Sequence, residues 1–210
     1  MSSRARFTER VHDELRARGI DPQRLPAGQY ATERFPVLHI GTVPTYEHDE
    51  WDLTIGGDSV DTPARFSLDE LRSMPADDWT VDVHCVTKWS KFDVVWRGVA
   101  LDQVLRSCGV TSRARTLLAH GDYGYSASHD WEDLRQHVAL LAWAVDGEEL
   151  TAAHGAPVRL VVPHRYLWKS VKWLRRIELW SDERLGFWER HGYHRDGDPF
   201  REQRFWGDDR

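Results

Sequence analysis

The sequence of 210 residues contains few cysteines and no long apolar or basic run. Its two cysteines, Cys85 and Cys108, cannot build a disulfide framework, and they are too few for a zinc site made of four cysteines. No run of about 18 apolar residues is present, so the sequence predicts no membrane span. The formal net charge of −6, without a basic run, argues against nucleic acid as the main partner.

Several signature motifs are absent as well. The sequence has no P-loop, no glycine fingerprint for dinucleotides, no HExxH and no Ser-His-Asp order. Residues 1–20 are charged and amphipathic, and they lack the apolar region of a secretory signal. These absences exclude the common nucleotide-binding and zinc-protease signatures, and we expect the cytoplasm as the compartment.

Tryptophan is abundant, with 11 residues in a chain that is 40% hydrophobic and 30% charged. This balance is typical of a globular protein that can bury a core without disulfides. Tryptophan buries a large ring while one N–H needs a partner, so this composition predicts a large core and aromatic-lined clefts.

The residue pattern predicts an α+β fold. Helical periodicity covers residues 4–18 and 101–110, and the capping box Ser67–Glu70 predicts a short helix from about Leu68. Strand patterns occupy parts of seven further segments: 51–57, 79–86, 94–98, 116–128, 138–150, 156–166 and 169–181. Because these strands do not alternate regularly with long helices, a doubly wound parallel sheet is not expected.

We divide the chain into three parts. Residues 1–29 are predicted to form an N-terminal helix and loop, residues 30–181 the main domain, and residues 182–210 a tail packed on that domain. Aromatic residues of the tail are expected to anchor it, namely Trp188, Tyr193, Phe200, Phe205 and Trp206.

The two cysteines differ in context. Cys108 lies on the apolar stripe of the predicted helix 101–110, where free cysteine packs as a small hydrophobe. Cys85 ends a predicted strand and is followed by Thr87 and Lys88. A strand end that opens into a loop is a common place for a site, and a nearby lysine favours the thiolate. The residues alone leave Cys85 open between a buried structural cysteine and a reactive thiolate.

Two other groups of residues could carry chemistry. His154 and Arg159 bracket a loop that enters a strand, and Lys169, Ser170 and Lys172 follow the next turn. Such residues hold phosphate in many proteins, although they also form ordinary solvated surfaces. The second group lies in the loop HGDYGYS, which contains His120, Tyr123 and Tyr125 and is equally compatible with a substrate loop or a wet turn.

Together these segments resemble the molybdopterin-binding oxidoreductases of the sulfite oxidase superfamily. The resemblance rests on HCVTKWS around Cys85, on HGAPVRLVVP and on WKSVKWLRRIEL, in that order, and it covers residues 30–181. The motif HCVTKWS is more similar to the catalytic subunit of bacterial protein-methionine-sulfoxide reductase than to animal sulfite oxidase. The resemblance implies a mixed-sheet α+β domain around one molybdenum–molybdopterin with a pyranopterin dithiolene.

The resemblance also implies roles for individual residues. Cys85 would be the metal ligand and Tyr123 the tyrosine beside the metal, and a thiolate suits a soft, redox-active metal. Arg159 and Lys172 would be the phosphate partners. The residues implied to bind the cofactor are Arg34, Val37, Leu38, His120, His154, Arg159, Ser170, Val171 and Lys172.

We therefore predict a molybdenum-dependent oxidoreductase that transfers an oxygen atom, with two electrons, to or from a small S- or N-containing substrate. Sulfoxide-type reduction and sulfite-type oxidation both remain open. Its partners would be the small-molecule substrate and an unidentified electron-transfer protein. The alternatives are a non-catalytic molybdopterin carrier and a cofactor-free interaction domain.

Overall fold

The computed structural model describes residues 3–47 and 49–209, with side chains from residue 8 onward. The strands are β1 Tyr30–Ala31, β2 Asp52–Gly56, β3 Ala64–Ser67, β4 Asp77–His84, β5 Trp89–Ala100, β6 Thr116–His120, β7 Ser126–Asp130, β8 Leu140–Val145, β9 Glu148–Glu149, β10 Arg159–Val161 and β11 Arg176–Trp180. The α-helices are α1 Ser3–Ala17, α2 Leu68–Arg72, α3 Leu101–Arg106, α4 Trp131–Leu134 and α5 Phe187–Arg190. Short 3₁₀ turns occupy Pro22–Arg24, Ala152–His154 and Leu167–Lys169.

The described strands form two mixed sheets. In the first, β1, β5, β8 and β10 lie side by side, while β4 also pairs with β5 and β9 with β8. In the second, the order is β3, β2, β11, β6 and β7, with β11 parallel to β2. Helices cover and connect these sheets without alternating regularly with the strands, which confirms the predicted α+β class.

The largest apolar cluster joins the two sheets. Leu53 and Leu179 come from the second sheet, Leu141 and Leu160 from the first, and all four are fully buried. Cys108 is buried in the same cluster, as its helical stripe predicts. Burial raises the pKa of its thiol, which therefore stays protonated and inert.

A second apolar cluster lies around the β4–β5 hairpin. It contains Val83, Cys85 and Trp89 together with the fully buried Trp96. A bulge shifts the pairing register between Val81 and Val83, just before the hairpin turn. Bulges re-aim the residues that follow them, and here the following residues form the turn that contains Cys85.

The N-terminal segment and the tail both contact the rest of the chain. Leu15 packs against Phe92 of β5. In the tail, the buried Glu189 of α5 forms an ion pair with Lys169 at 2.7 Å. The boundaries at residues 29 and 181 stay predictions. Not all tail aromatics are anchors, because Phe200, Phe205 and Trp206 each expose more than half of their surface.

Two segments differ from the sequence-based expectation. The strand β7, SASHD, extends beyond the predicted strand segment 116–128, although its small polar residues carry no apolar alternation. It is buried all the same, since it pairs with β6 and its Ser128 bonds to Glu189. Conversely, the predicted strand segment 169–181 is extended only from Arg176. Residues 170–175 are irregular, and Trp173 has a φ of 51°, which interrupts an extended strand. None of the described helices has the length and hydropathy that crossing a bilayer requires.

Candidate active site

A cleft of about 320 Å³ lies beside the β4–β5 turn. This volume suits a small molecule or the reactive part of a cofactor. Five parts of the chain meet there: the segment after β1, the β4–β5 turn, the β6–β7 loop, residues 154–173 and the tail. Its walls consist of Phe35, Pro36, Leu38, His39, Ile40, Cys85, Val86, Thr87, Trp89, Tyr125, His154, Arg159, Leu167, Trp168, Ser170, Lys172, Trp173, Trp188 and Tyr193.

Cys85 lies in a tight turn at one wall of this cleft. Its N–H donates to the carbonyl of Trp89 at 2.8 Å, and its own carbonyl accepts from the N–H of Lys88 at 2.9 Å. Lys88 has a φ of 77°, which closes the turn. The sulfur lies 3.1 Å from the hydroxyl of Thr87, and only 7% of the residue is exposed. The thiol is therefore held by backbone hydrogen bonds and reaches solvent only through the cleft.

Arg159 is a buried cation on another wall, with 2% of its surface exposed. Its guanidinium donates to the carbonyls of His154 at 2.9 Å and Ser170 at 3.1 Å, while its Nε has no partner. Burial lowers its pKa to about 10, so it stays charged at neutral pH. No carboxylate among the described residues forms an ion pair with it. A buried charge without a counter-charge is costly unless a ligand supplies one.

Lys172 extends this positive wall. Its ammonium donates to the carbonyls of Ala153 at 2.7 Å and Leu38 at 2.9 Å. Burial, with the charge of Arg159 nearby, lowers its pKa to about 7. Burial also lowers the pKa of His154 to about 4, so this imidazole is neutral. An anion bound here would restore the charge balance, and the donors present fit a phosphate-bearing cofactor.

The residues predicted for cofactor binding divide into two groups. Leu38, Cys85, His154, Arg159, Ser170 and Lys172 line the cleft, and Arg34, Val37, His120, Tyr123 and Val171 do not. Val171 is fully buried in the core, next to Ser170. His120 lies on the second sheet and forms a 2.8 Å hydrogen bond with Glu178. Arg34 and Val37 are exposed on the same segment as Phe35, Pro36 and Leu38, which do line the cleft.

The two tyrosines of the β6–β7 loop lie in different places. Tyr123 is 52% exposed at the tip of the turn, and its hydroxyl accepts from Thr42 at 2.8 Å. Tyr125 faces the cleft, and its hydroxyl donates to the carbonyl of Trp168. Burial raises the pKa of Tyr125, so the phenol stays protonated. The spacing Tyr-Gly-Tyr-Ser could not show which tyrosine turns inward, because Gly124 between them reverses the chain at φ 73°.

Aromatic side chains form much of the remaining wall, and most of them were not predicted individually. Trp168 contacts Tyr193 edge-on with centroids 5.6 Å apart, and Tyr193 lies 4.8 Å from Trp188. The indole N–H of Trp168 is buried without a partner. The only signal for this wall was the high tryptophan content. Trp188 and Tyr193 belong to the tail, so residues expected only to anchor it also shape the cleft.

A second cluster could bind a metal by residue type. Asp133, His137 and His164 bring one ligand atom each within 4.8 Å of one another. However, Arg165 already holds the carboxylate of Asp133 at 2.6 Å, and the two imidazoles stack at 4.1 Å. Because its one carboxylate is already paired with Arg165, this cluster is less suited to a redox metal than the cleft around Cys85.

The sequence matches the family model described as an oxidoreductase molybdopterin binding domain over residues 40–188. It is 43% identical over 183 residues to the "Uncharacterized oxidoreductase YuiH" of Bacillus subtilis (strain 168), which covers 87% of this chain and 92% of that protein. It is also 32% identical over 179 residues to a nitrate reductase [NADH] of Lotus japonicus, covering 70% of this chain. The match spans only 20% of that nitrate reductase.

Among solved structures, the fold is similar to that of the sulfane dehydrogenase SoxCD from Paracoccus pantotrophus. The TM-score is 0.65 at 22% identity, over 81% of this chain and 48% of that chain. This likeness bears on the fold alone. The finer similarity to protein-methionine-sulfoxide reductase stays a prediction. The family match and the relatives lead to one conclusion: the chain belongs to the oxidoreductase molybdopterin-binding domain family of the sulfite oxidase superfamily, and it is an α+β oxidoreductase whose cofactor is molybdenum–molybdopterin.

Proposed function

We propose that this oxidoreductase transfers an oxygen atom, with two electrons, to or from a small S- or N-containing substrate, and that Cys85 supplies a thiolate to its metal. One observation carries the proposal: the sulfur of Cys85 shares a cleft with the buried Arg159 and the half-buried Lys172, and neither cation forms an ion pair with a carboxylate of the described residues. A thiolate is the protein ligand that suits a soft, redox-active metal, and the cations suit the phosphate of a pterin cofactor.

Arg159 and Lys172 would hold the phosphate. The unpartnered Nε of Arg159 offers a donor that bonds to no described group. The ammonium of Lys172 donates hydrogen bonds to two backbone carbonyls. An anion bound next to it would raise its pKa above 7. Ser170, His154 and Leu38 would line the rest of the cofactor. When bound, the cofactor supplies the two-electron chemistry, while the protein orients it and controls access.

Tyr125 is the better candidate for a hydrogen-bond donor to the reacting group. Its phenol is buried in the cleft wall and protonated, whereas the predicted Tyr123 lies exposed at the rim. Its hydroxyl needs to turn only from the carbonyl of Trp168 toward the cleft. Tyr123 contacts Trp173 edge-on at 6.4 Å, so it would act on the cleft only through that ring.

The walls favour a neutral substrate over an oxyanion. If Arg159 and Lys172 bind the cofactor, much of the remaining wall is aromatic and includes Trp168, Trp188 and Tyr193. Aromatic faces and a lone indole N–H suit a sulfoxide or an N-oxide, which has one polar oxygen on an apolar body. Sulfite-type oxidation remains the second candidate, because His154 and His39 also line the cleft and an imidazole N–H can donate to an oxyanion.

The test is metal analysis and pterin fluorescence of the full chain produced in a host that makes the cofactor. Wild type and Cys108→Ala should contain molybdenum and pterin, while Cys85→Ala should lose most of its molybdenum. Turnover with a reduced viologen is then measured on sulfoxides and N-oxides, with sulfite and nitrate as the anionic comparison.

Three outcomes contradict parts of the proposal. Wild-type protein without molybdenum or pterin would refute the cofactor assignment and favour an interaction domain. Bound cofactor without turnover on any substrate would favour a carrier. Full activity and metal content in Cys85→Ala would refute the ligand assignment alone. The electron-transfer partner stays unidentified in all cases.

A further inference from the structure

Gln29 reaches the Cys85 turn from outside the matched domain. It is 4% exposed, and its amide Nε2 donates to the carbonyl of Cys85 at 3.1 Å. The same carbonyl accepts the turn-closing bond from Lys88 at 2.9 Å. A carbonyl oxygen has two lone pairs, so these two donors satisfy it fully. The contact acts on the residue that carries the sulfur, 56 positions along the chain from Gln29.

The other end of the Gln29 amide is held as well. Ser90 donates its hydroxyl to Oε1 of Gln29 at 3.3 Å, and the same hydroxyl lies 2.8 Å from Nδ1 of His84. The Ser90 hydroxyl has one hydrogen and donates it to Gln29, so it can only accept in its contact with His84. Nδ1 of His84 is therefore the protonated nitrogen that donates to Ser90. The donors therefore run in one direction, from His84 through Ser90 and Gln29 to the carbonyl of Cys85. Buried hydrogen bonds in series polarise one another.

Backbone pairing fixes where Gln29 sits. The N–H of Tyr30 donates to the carbonyl of Lys88, and that of Thr32 to the carbonyl of Ser90, both at 2.9 Å. The strand β1 thus runs parallel to the start of β5, with Tyr30 opposite Trp89. These bonds hold the far side of the turn, while the Gln29 amide holds the side next to the sulfur.

We infer that Gln29 is a positioning residue, which fixes the Cys85 turn through its carbonyl and so sets the direction of the sulfur in the cleft. The metal-related part of this inference rests on the proposed ligation by Cys85. The family model begins at residue 40, so the positioning comes from a segment outside the matched residues. The N-terminal segment then contributes a positioning residue to the site.

The test measures the alkylation rate of Cys85 in the full chain produced without cofactor. Iodoacetamide is the probe, mass spectrometry separates the two cysteines, and the fully buried Cys108 is the internal reference. The variant Gln29→Leu removes the hydrogen bond to the Cys85 carbonyl together with the one from Ser90. It should raise the Cys85 rate about fivefold, because the turn opens more often. Gln29→Met keeps the side-chain length and should give the same result if Gln29→Leu folds poorly.

A matched control is Gln203→Leu, since Gln203 is also fully buried but bonds to Asp198 in the tail. Its Cys85 rate should equal that of wild type. Equal rates in Gln29→Met and wild type would overturn the inference. So would an equal rise in Gln203→Leu, because the effect would then be general loosening of the fold.

A second readout tests the link to the metal. In the loaded enzyme, Gln29→Met should shift the Mo(V) electron paramagnetic resonance signal and the midpoint potential, because contacts behind a ligand tune the metal. Faster alkylation of Cys85 with an unchanged Mo(V) signal would support the positioning of Cys85 by Gln29 and refute metal ligation by Cys85. The failure of the inference and the failure of the proposed function are thus distinguishable.

Discussion

The buried ion pair between Lys169 and Glu189 makes a sharp prediction about stability. The ammonium is 1% exposed and the carboxylate is fully buried, and the two atoms are 2.7 Å apart. Lys169 also donates to the carbonyls of Ser128 at 2.6 Å and Arg195. Replacing Lys169 by Met leaves Glu189 with only the N–H and hydroxyl of Ser128, while its Oε2 has no partner already.

The cost follows from that uncompensated charge. Removing one partner of a buried pair costs about 3–5 kcal/mol. In a chain of this size, 1 kcal/mol shifts the melting temperature by about 2–4 °C, so Lys169→Met should melt about 6–20 °C below wild type. The double variant Lys169→Met with Glu189→Leu should recover most of this loss, since neither charge then remains buried.

The assay is thermal unfolding followed by circular dichroism or calorimetry. The control is Arg97→Met, which removes an ion pair with Asp78 at 3.1 Å whose two side chains are 53% and 59% exposed. That variant should lose about 1 kcal/mol or less, because exposed pairs contribute little. A melting temperature of Lys169→Met within about 3 °C of wild type would refute the reasoning, as would a double variant less stable than the single one.

Three further predictions concern the cleft and the core. In cofactor-free protein, the pKa of Lys172 near 7 is below its ordinary 10.5, so the unfolded state binds more protons between these values. Between pH 7 and pH 10, the free energy of unfolding of wild type should therefore rise relative to that of Lys172→Met. The same pH dependence of unfolding in both proteins would contradict this. Cys108→Ala should cost about 1–3 kcal/mol in urea unfolding and leave the molybdenum content unchanged. Tyr125→Phe should lower kcat/KM about tenfold, whereas Tyr123→Phe should stay within about twofold; the reverse order would restore Tyr123 to the site.

Local patterns were sufficient where neighbouring residues decide the structure. The capping box at Ser67 and Glu70 forms as predicted, because both of its hydrogen bonds lie within one turn. The apolar stripe of the predicted helix 101–110 assigned Cys108 to the core, and Cys108 is buried there although α3 ends at Arg106. Family resemblance then supplied Cys85, Arg159 and Lys172, which meet in one cleft.

Residues whose position depends on distant partners were not predictable in this way. Ser128 looks like a loop residue in sequence, and it is buried because Glu189, 61 positions away, accepts both of its protons. Trp188 and Tyr193 lie in a segment without periodicity, so nothing local indicated that they face the cleft. Gln29 belongs to the same class, because its partner Cys85 lies 56 positions away.

The pair of lysines in the segment KSVK is the strongest internal argument for an anionic ligand. Lys169 and Lys172 are three positions apart and identical in type, yet within the described part of the chain only Lys169 has a carboxylate opposite it. Glu189 thus provides a permanent counter-charge for Lys169, the buried lysine that stabilises the fold. At Lys172 it provides only carbonyls, next to a second unpaired cation in Arg159, and burial lowers the pKa of the lysine to about 7. An anion bound here would stabilise this arrangement, so we propose that the cleft binds a negatively charged group that the chain does not itself supply.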